Sequence, residues 1–150
     1  MDCDGVLTDG RLYFGASGEE LKVFDVRDGQ GLVNWHRAGF RSGIISGRNS
    51  SIVERRAAEL GIEFVLQGVA DKAAAFVEVV SAAGSAAEET AFIGDDIGDL
   101  PAMALAGFAV AVSDAADEVR AAADHVTTRP GGRGAVRELI DLLLNAEARV

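Results

Sequence analysis

Short apolar runs and segments of helical periodicity alternate along the chain from Gly29 onward. The apolar runs are bounded by turn residues, which is typical of strands buried on both faces of a parallel sheet. We predict strands within residues 40–46, 63–68, 90–96, 107–112 and 125–128. We predict helices over residues 29–38, 51–60, 71–83, 99–106, 115–123 and from about 134 onward. Repeated strand–helix units of this kind indicate an α/β fold, a Rossmann-like three-layer arrangement with a parallel sheet and helices on both faces.

The helix predicted from residue 51 has signals at both of its ends. Ser51 is followed three residues later by Glu54, which is the spacing of a capping box. Gly61 follows the last apolar position and is the expected terminator.

A different pattern precedes this region, in RLYFGASGEELKVFDV. Two short alternating runs flank Gly-Ala-Ser-Gly, so we predict a β-hairpin over about residues 11–26. Both of its faces carry apolar side chains, and an isolated hairpin is marginal in water. We therefore expect it to pack against another surface, such as a second subunit.

Length and composition limit the class of protein. A chain of 150 residues is one domain by length, and its net charge of −10 argues against a nucleic-acid surface. No apolar run approaches the roughly 20 residues of a membrane span, and the first residues lack a secretory signal. A single cysteine, Cys3, excludes an internal disulfide and suits the reducing cytoplasm.

Polar side chains cluster where the predicted strands end. Because ligands bind at the carboxyl ends of parallel strands, we expect these side chains to meet at one edge of the sheet. They are Asp2 and Asp4 in the first segment, Ser46-Gly47, Lys72, and the GDDIGD motif with Asp95, Asp96 and Asp99.

This set of residues has a chemical logic. Converging carboxylates need a hard cation, and oxygen ligands favour Mg²⁺. A lysine, a serine hydroxyl and backbone N–H groups suit phosphate oxygens. One carboxylate can attack phosphorus, and a second can protonate the leaving alcohol and later activate water. Ser46-Gly47 or Lys72 alone is more often structural, whereas GDDIGD after an apolar strand is costly without a cation.

On these residues the chain resembles the haloacid dehalogenase superfamily of aspartate-nucleophile phosphatases. The resemblance covers nearly the whole length and follows motif order: DCDGV, Ser46, Lys72 and GDDIGD. Within it, DGVLTDG, EELKVFDVRDGQG, IISGRNS, GDDIGDLPAM and GGRGAVRELIDLLL are similar to the family of 3-deoxy-D-manno-octulosonate 8-phosphate phosphatases. A hairpin flap in place of a large cap domain is a shared trait.

The resemblance implies a role for each residue. Asp2 would be the nucleophile and Asp4 the general acid/base. Ser46, Gly47 and Lys72 would hold the phosphoryl group. Arg48 and Arg133 would suit an eight-carbon acid sugar. The Mg²⁺ ligands would be Asp2, the Asp4 backbone carbonyl and Asp95, with Asp96 or Asp99 in support. The family also implies a cytoplasmic homotetramer, joined through the hairpins, that acts in lipopolysaccharide precursor synthesis.

Three other hypotheses remain at this stage. The first is a phosphatase of nine-carbon, sialic-type sugar phosphates, and the second is a phospho-acceptor signalling module. The third is a truncated, non-catalytic assembly module, because the family has an apolar strand before the nucleophile and here only Met1 precedes Asp2. We expect so short a segment to lose its ladder bonds to the neighbouring strands.

Overall fold

Parallel strands and helices alternate along most of the chain in the computed structural model, which describes residues 1–148. The strands are β1 (Tyr13–Gly15), β2 (Gly18–Leu21), β3 (Gly43–Ile45), β4 (Phe64–Leu66), β5 (Ala91–Gly94), β6 (Phe108–Ala111) and β7 (His125–Val126). The helices are α1 (Val26–Arg37), α2 (Ser51–Leu60), α3 (Lys72–Ala83), α4 (Leu100–Met103), α5 (Asp117–Ala122) and α6 (Ala135–Glu147). Short 3₁₀ helices span Ala87–Glu89 and Ile97–Asp99. Within residues 1–148, no helix is both long enough and apolar enough to cross a bilayer.

The predicted α/β fold is confirmed. Strand β3 pairs in parallel with β4, and β5, β6 and β7 form a second parallel group in that order. The helices cover these strands, and α1 packs most extensively on α6. The core is built from apolar side chains of both strand groups and of the helices around them.

Met1 and Asp2 lie between the two strand groups and bond to both. The Met1 amine donates to the Gly43 carbonyl at 3.0 Å, and the Met1 carbonyl accepts from the Ile45 N–H at 2.9 Å. On the other side the Asp2 N–H donates to the Ile93 carbonyl at 3.1 Å. The expectation that both sets of ladder bonds would be lost is therefore wrong, because two residues suffice to bridge β3 and β5 at their carboxyl ends.

Below Met1, β3 and β5 are separated by a cleft of about 310 Å³. Its walls are largely apolar and include Leu32, Phe76, Phe92 and Val136. The Met1 amine is buried beside this cleft, and burial lowers its pKa to about 6.

Local boundaries differ from the sequence predictions at two helix starts. Helix α1 begins at Val26, three residues before the predicted start, because the Asp25 carboxylate accepts the Arg27 N–H at 2.7 Å and caps the helix. The capping box predicted at Ser51 is wrong: Ser50 is the N-cap of α2, and its side chain makes no capping bond. Its hydroxyl donates instead to Glu19 at 2.6 Å. The Gly61 terminator is confirmed, with a left-handed φ of 71°.

The hairpin of β1 and β2 is antiparallel and shorter than predicted. It ends at Leu21, and the next residue, Lys22, is buried. Exposed apolar side chains lie along the hairpin and the segment after it: Leu12, Tyr13, Phe14, Leu21, Val23 and Val26.

Candidate active site

Three carboxylates meet at the carboxyl end of β5. Oxygen atoms of Asp2, Asp95 and Asp99 all lie within 4.8 Å of one another. Burial, followed by the negative charges of Asp2 and Asp99, raises the pKa of Asp95 to about 8. Burial and the Asp99 charge also raise the pKa of Asp2. Such crowding of like charges is stable only with a proton or a cation among them.

Lys72 supplies one cation to this cluster. Its Nζ lies 2.9 Å from Asp2 Oδ1 and 2.6 Å from Asp99 Oδ1. It is the first residue of α3, where the Asp71 carboxylate caps the helix by accepting the Ala74 N–H at 3.0 Å. Burial would lower the pKa of Lys72, but the charges of Asp2 and Asp99 outweigh it and the pKa is raised. The ammonium therefore keeps its charge beside the proposed nucleophile.

Asp99 organises the loop that carries Asp95. Its Oδ2 accepts the N–H groups of Asp95 at 3.0 Å and Asp96 at 3.2 Å, while Oδ1 binds Lys72. A Cβ on Gly94 would lie 2.5 Å from the Asp99 Cβ, so this approach requires glycine. The Asp96 side chain is exposed, and its Oδ1 accepts the Ile97 N–H at 2.8 Å, which leaves it outside the cluster.

The cluster suits a hard divalent cation. Asp95 Oδ1 is buried and has no hydrogen-bond partner among the described residues. A buried carboxylate oxygen without a partner is costly, and a cation would remove that cost. All donors in the cluster are oxygen atoms, which Mg²⁺ prefers.

Ser46 lies at the end of β3, across the sheet edge from the cluster. It is buried, its N–H donates to the Leu66 carbonyl at 2.9 Å, and its Oγ accepts the Arg48 N–H at 3.3 Å. Gly47 and Arg48 follow it in an exposed turn. The contribution of this turn to anion binding stays a prediction.

Asp4 is paired with a residue that the sequence analysis did not single out. Lys22 Nζ lies 2.5 Å from Asp4 Oδ1 and 3.0 Å from Glu19 Oε1. Burial would lower the pKa of Lys22, but hydrogen bonds to Asp4 and Glu19 raise it. Arg48 Nε lies farther away, 3.8 Å from Asp4 Oδ2. The only signal in the sequence was a lysine among alternating apolar residues at the end of a predicted strand.

The GGRG segment packs directly on the loop that carries Asp4. The Gly132 N–H donates to the Val6 carbonyl at 2.8 Å. A Cβ on Gly131 would lie 1.7 Å from the Gly5 carbonyl oxygen, and one on Gly132 would lie 2.3 Å from the Thr8 carbonyl carbon. The two backbones are therefore in contact.

Two carboxylates anchor this segment. Buried Asp28 accepts the Gly134 N–H at 3.1 Å and the Arg137 N–H at 2.8 Å, and Asp114 accepts the Gly131 N–H at 2.9 Å. The Arg133 side chain is exposed. The contribution of Arg133 to substrate binding stays a prediction.

Comparison with known proteins identifies the family. Residues 45–139, more than half of the chain, match the haloacid dehalogenase-like hydrolase family. The chain belongs to this family. This agrees with the resemblance drawn from the motifs, and it makes the phospho-acceptor signalling hypothesis wrong.

Several characterised hydrolases resemble the chain over nearly its full length. The 3-deoxy-D-manno-octulosonate 8-phosphate phosphatase of Haemophilus influenzae is 46% identical over 99% of this chain and 82% of its own length. The corresponding phosphatase of Escherichia coli K12 is 45% identical over 100% of this chain and 80% of its own length.

Solved structures agree with this assignment. The cobalt-bound Haemophilus influenzae phosphatase superposes with a TM-score of 0.96 at 46% identity, covering 98% of this chain and 86% of that one. The Moraxella catarrhalis phosphatase, in complex with magnesium, phosphate and 3-deoxy-D-manno-octulosonate (KDO), has a TM-score of 0.94 at 44% identity. That match covers 97% of this chain and 84% of the other.

Proposed function

We propose that this hydrolase is a Mg²⁺-dependent phosphatase that converts 3-deoxy-D-manno-octulosonate 8-phosphate into the free sugar acid and phosphate. The observation that carries the proposal is the environment of Asp2. Its carboxylate is buried, lies 2.9 Å from the Lys72 ammonium, and belongs to an oxygen cluster suited to a cation. The full-length similarity to phosphatases of this substrate supports the substrate assignment.

Asp2 is the nucleophile in this mechanism. Its carboxylate attacks phosphorus, the bond from phosphorus to the sugar oxygen breaks, and an aspartyl-phosphate forms. Lys72 opposes the rise in the pKa of Asp2 and, together with Ser46 and the turn at Gly47, holds the phosphoryl oxygens. Because Asp2 is fixed on one side by its backbone bond to Ile93, the attacking oxygen is held in place before the substrate arrives.

Asp4 moves the protons. It gives a proton to the departing sugar oxygen in the first step. In the second step its carboxylate takes a proton from a water molecule, whose oxygen attacks the aspartyl-phosphate. Phosphate is released and the Asp2 carboxylate is regenerated.

Asp2, Asp95 and Asp99, with the Asp4 backbone carbonyl, are the groups that would hold Mg²⁺, and Asp96 would support the loop. When bound, the cation neutralises this cluster and the phosphoryl oxygens. Arg48 and Arg133 would face the acid sugar, and their positive charge suits its carboxylate.

We also propose that the enzyme is a cytoplasmic homotetramer that acts in lipopolysaccharide precursor synthesis. Phe14 is 61% exposed and Val26 is 79% exposed, and exposed apolar patches of this kind mark interfaces between subunits. Light scattering on a size-exclusion column tests the assembly. The wild type should elute at about four times the 15.6 kDa chain mass, and Phe14→Glu should elute at a lower mass.

The function is tested by phosphate release from 3-deoxy-D-manno-octulosonate 8-phosphate with Mg²⁺. Asp2→Asn should reduce kcat by at least about 10³-fold, because the nucleophile is removed. Asp117→Asn is the matched control, since that side chain is 89% exposed on α5. Faster turnover of a nine-carbon sugar phosphate by the wild type would overturn the substrate assignment. Full activity of Asp2→Asn would overturn the mechanism.

A further inference from the structure

The two aspartates of the DCD motif have different cationic partners. Asp2 is paired with Lys72, which comes from α3 in the body of the domain. Asp4 is paired with Lys22, which directly follows the hairpin. The segment after the hairpin therefore places a charged group beside the residue proposed to transfer protons.

Lys22 is held by a network rather than by one contact. Its side chain is 1% exposed, and its ammonium contacts both Asp4 and Glu19. Glu19 Oε2 accepts the Ser50 hydroxyl at 2.6 Å, which ties the hairpin to the start of α2. Arg48 flanks both carboxylates, at 3.8 Å from Asp4 and 3.9 Å from Glu19. The two carboxylates, Asp4 and Glu19, are thus bridged by two cations, Lys22 and Arg48.

The contacts with Lys22 and Arg48 set the direction in which the Asp4 side chain points. Three other carboxylates at the site, Asp2, Asp95 and Asp99, are gathered at the end of β5, whereas Asp4 is outside that group. The Asp4 side chain instead points to Lys22 and Arg48, on the hairpin side of the site. If the Asp4 carboxylate were bound to a cation within the carboxylate cluster, it could not transfer a proton to the leaving group. The separation of Asp4 from that cluster therefore matters for the reaction.

We propose that Lys22 is a positioning residue of the reaction. Its ammonium holds the Asp4 carboxylate on the hairpin side, where the sugar leaves, and away from the carboxylate cluster of Asp2, Asp95 and Asp99. This inference rests on the proposed function, with Asp4 as the proton donor. Lys22 itself does not gain or lose a proton in either step. Its contribution is to fix the position of the group that does.

The test compares how the rate of the first step depends on the leaving group of the substrate. A sugar alkoxide needs a proton from Asp4 as it departs, whereas nitrophenolate leaves readily without one. The rate of the first step is measured in single-turnover quench experiments, with 3-deoxy-D-manno-octulosonate 8-phosphate and with p-nitrophenyl phosphate. The Asp2 and Lys72 machinery is needed for both substrates, so only a defect in Asp4 positioning separates them.

Lys22→Met should slow the first step about 10²-fold with the sugar phosphate, the order expected for loss of a positioned acid. With p-nitrophenyl phosphate the loss should stay below tenfold. Lys22→Arg should recover the sugar phosphate rate to within tenfold of the wild type. Asp4→Asn should show the same selectivity, and adding Lys22→Met to it should cost less than a further threefold, because both changes remove one function.

Two controls keep the result decisive. Arg11→Met replaces a cation before the hairpin whose side chain is 71% exposed, and it should leave both rates unchanged. Glu19→Gln weakens the second anchor of Lys22 and should give a smaller loss with the same selectivity. If Lys22→Met fails to fold by circular dichroism, Glu19→Gln and Lys22→Arg decide the question.

Equal losses with both substrates, or no loss, in every folded variant would overturn the role of Lys22. Failure of the wild type to cleave the sugar phosphate while it cleaves p-nitrophenyl phosphate is a separate outcome. It would overturn the proposed substrate, and a phosphorylated alkyl alcohol that the wild type does cleave would then replace the sugar phosphate in the same comparison.

Discussion

The ammonium of Lys72 lies 2.9 Å from the carboxylate of Asp2, and both groups are largely buried. A second buried carboxylate, Asp99, shares the same ammonium at 2.6 Å. Lys72 therefore has two effects: it offsets the repulsion between Asp2 and Asp99, and it presents a positive charge where phosphoryl oxygens would bind. We therefore expect both stability and catalysis to depend on this side chain.

Lys72→Met should destabilise the protein without Mg²⁺ by about 3–5 kcal/mol, because it leaves buried carboxylates without a cation. Added Mg²⁺ should restore part of the loss, since it neutralises the same cluster. Denaturant unfolding with EDTA and with Mg²⁺ measures both effects. Arg55→Met, on the exposed surface of α2, is the control and should change stability by less than about 0.5 kcal/mol. Unchanged stability of Lys72→Met in EDTA would contradict the prediction.

Mg²⁺ affinity should depend on pH through Asp95. Its pKa of about 8 means that below pH 8 the cation must displace a proton from this carboxyl. Apparent affinity should therefore rise by up to about tenfold per pH unit from pH 6 and level off above pH 8. Isothermal titration in two buffers of different ionisation enthalpy measures both the affinity and the proton release. A flat affinity profile from pH 6 to 8 would be inconsistent with this environment.

The same shift affects stability without Mg²⁺. The pKa of Asp95 in the folded state lies above its ordinary value of 3.8, so folding favours the protonated form. Its contribution to stability is fully present below pH 3.8 and is lost as pH rises through 8. Asp95→Asn should therefore flatten the pH dependence of the unfolding free energy in EDTA between pH 5 and 8. An identical slope in wild type and variant would argue against it.

Gly131→Ala should damage both stability and activity. The new Cβ would lie 1.7 Å from the Gly5 carbonyl oxygen, so the backbone next to Asp4 must move. We expect a loss of about 3 kcal/mol in the unfolding free energy and a lower kcat. Gly98→Ala is the matched stability control, because its Cβ would meet nothing within 4 Å. Equal melting temperatures for the two variants would show that the contact is not as tight as described.

The apolar cleft between β3 and β5 should accept additional chain placed before Met1. An apolar segment of about five residues placed before Met1 should extend it as a strand and fill the cleft. It would also convert the buried Met1 amine into an amide. We expect a rise in melting temperature and no loss of kcat. A segment of the same length with charged residues on alternate positions is the control and should give no such rise.

Sequence patterns predicted the parts of the site that depend on local order. Asp95 and Asp99 belong to a motif that follows an apolar run, and the carboxyl ends of parallel strands meet at one edge whatever the details of packing. The start of α1 was missed because Asp25 was assigned to a strand, although it caps the helix. A cap depends on the direction of the chain before it, which a hydrophobic pattern does not encode.

The pairing of Lys22 with Asp4 was missed for a different reason. The two residues are 18 residues apart, and the contact depends on the loop against which the Lys22 segment packs. The alternation of side chains shows that one face is buried but does not show what that face contacts. The anchoring role of Asp28 was missed similarly, because it joins α1 to backbone groups more than 100 residues later.

The contact of Gly132 with Val6 also bears on how the enzyme is made. The loop that carries Asp4 is synthesised before residues 131–132, yet it packs against them. A nascent chain that has not yet released this segment from the ribosome cannot seat its catalytic loop. Activity should therefore appear only after nearly the whole domain has emerged, so an incomplete chain leaves its substrate untouched.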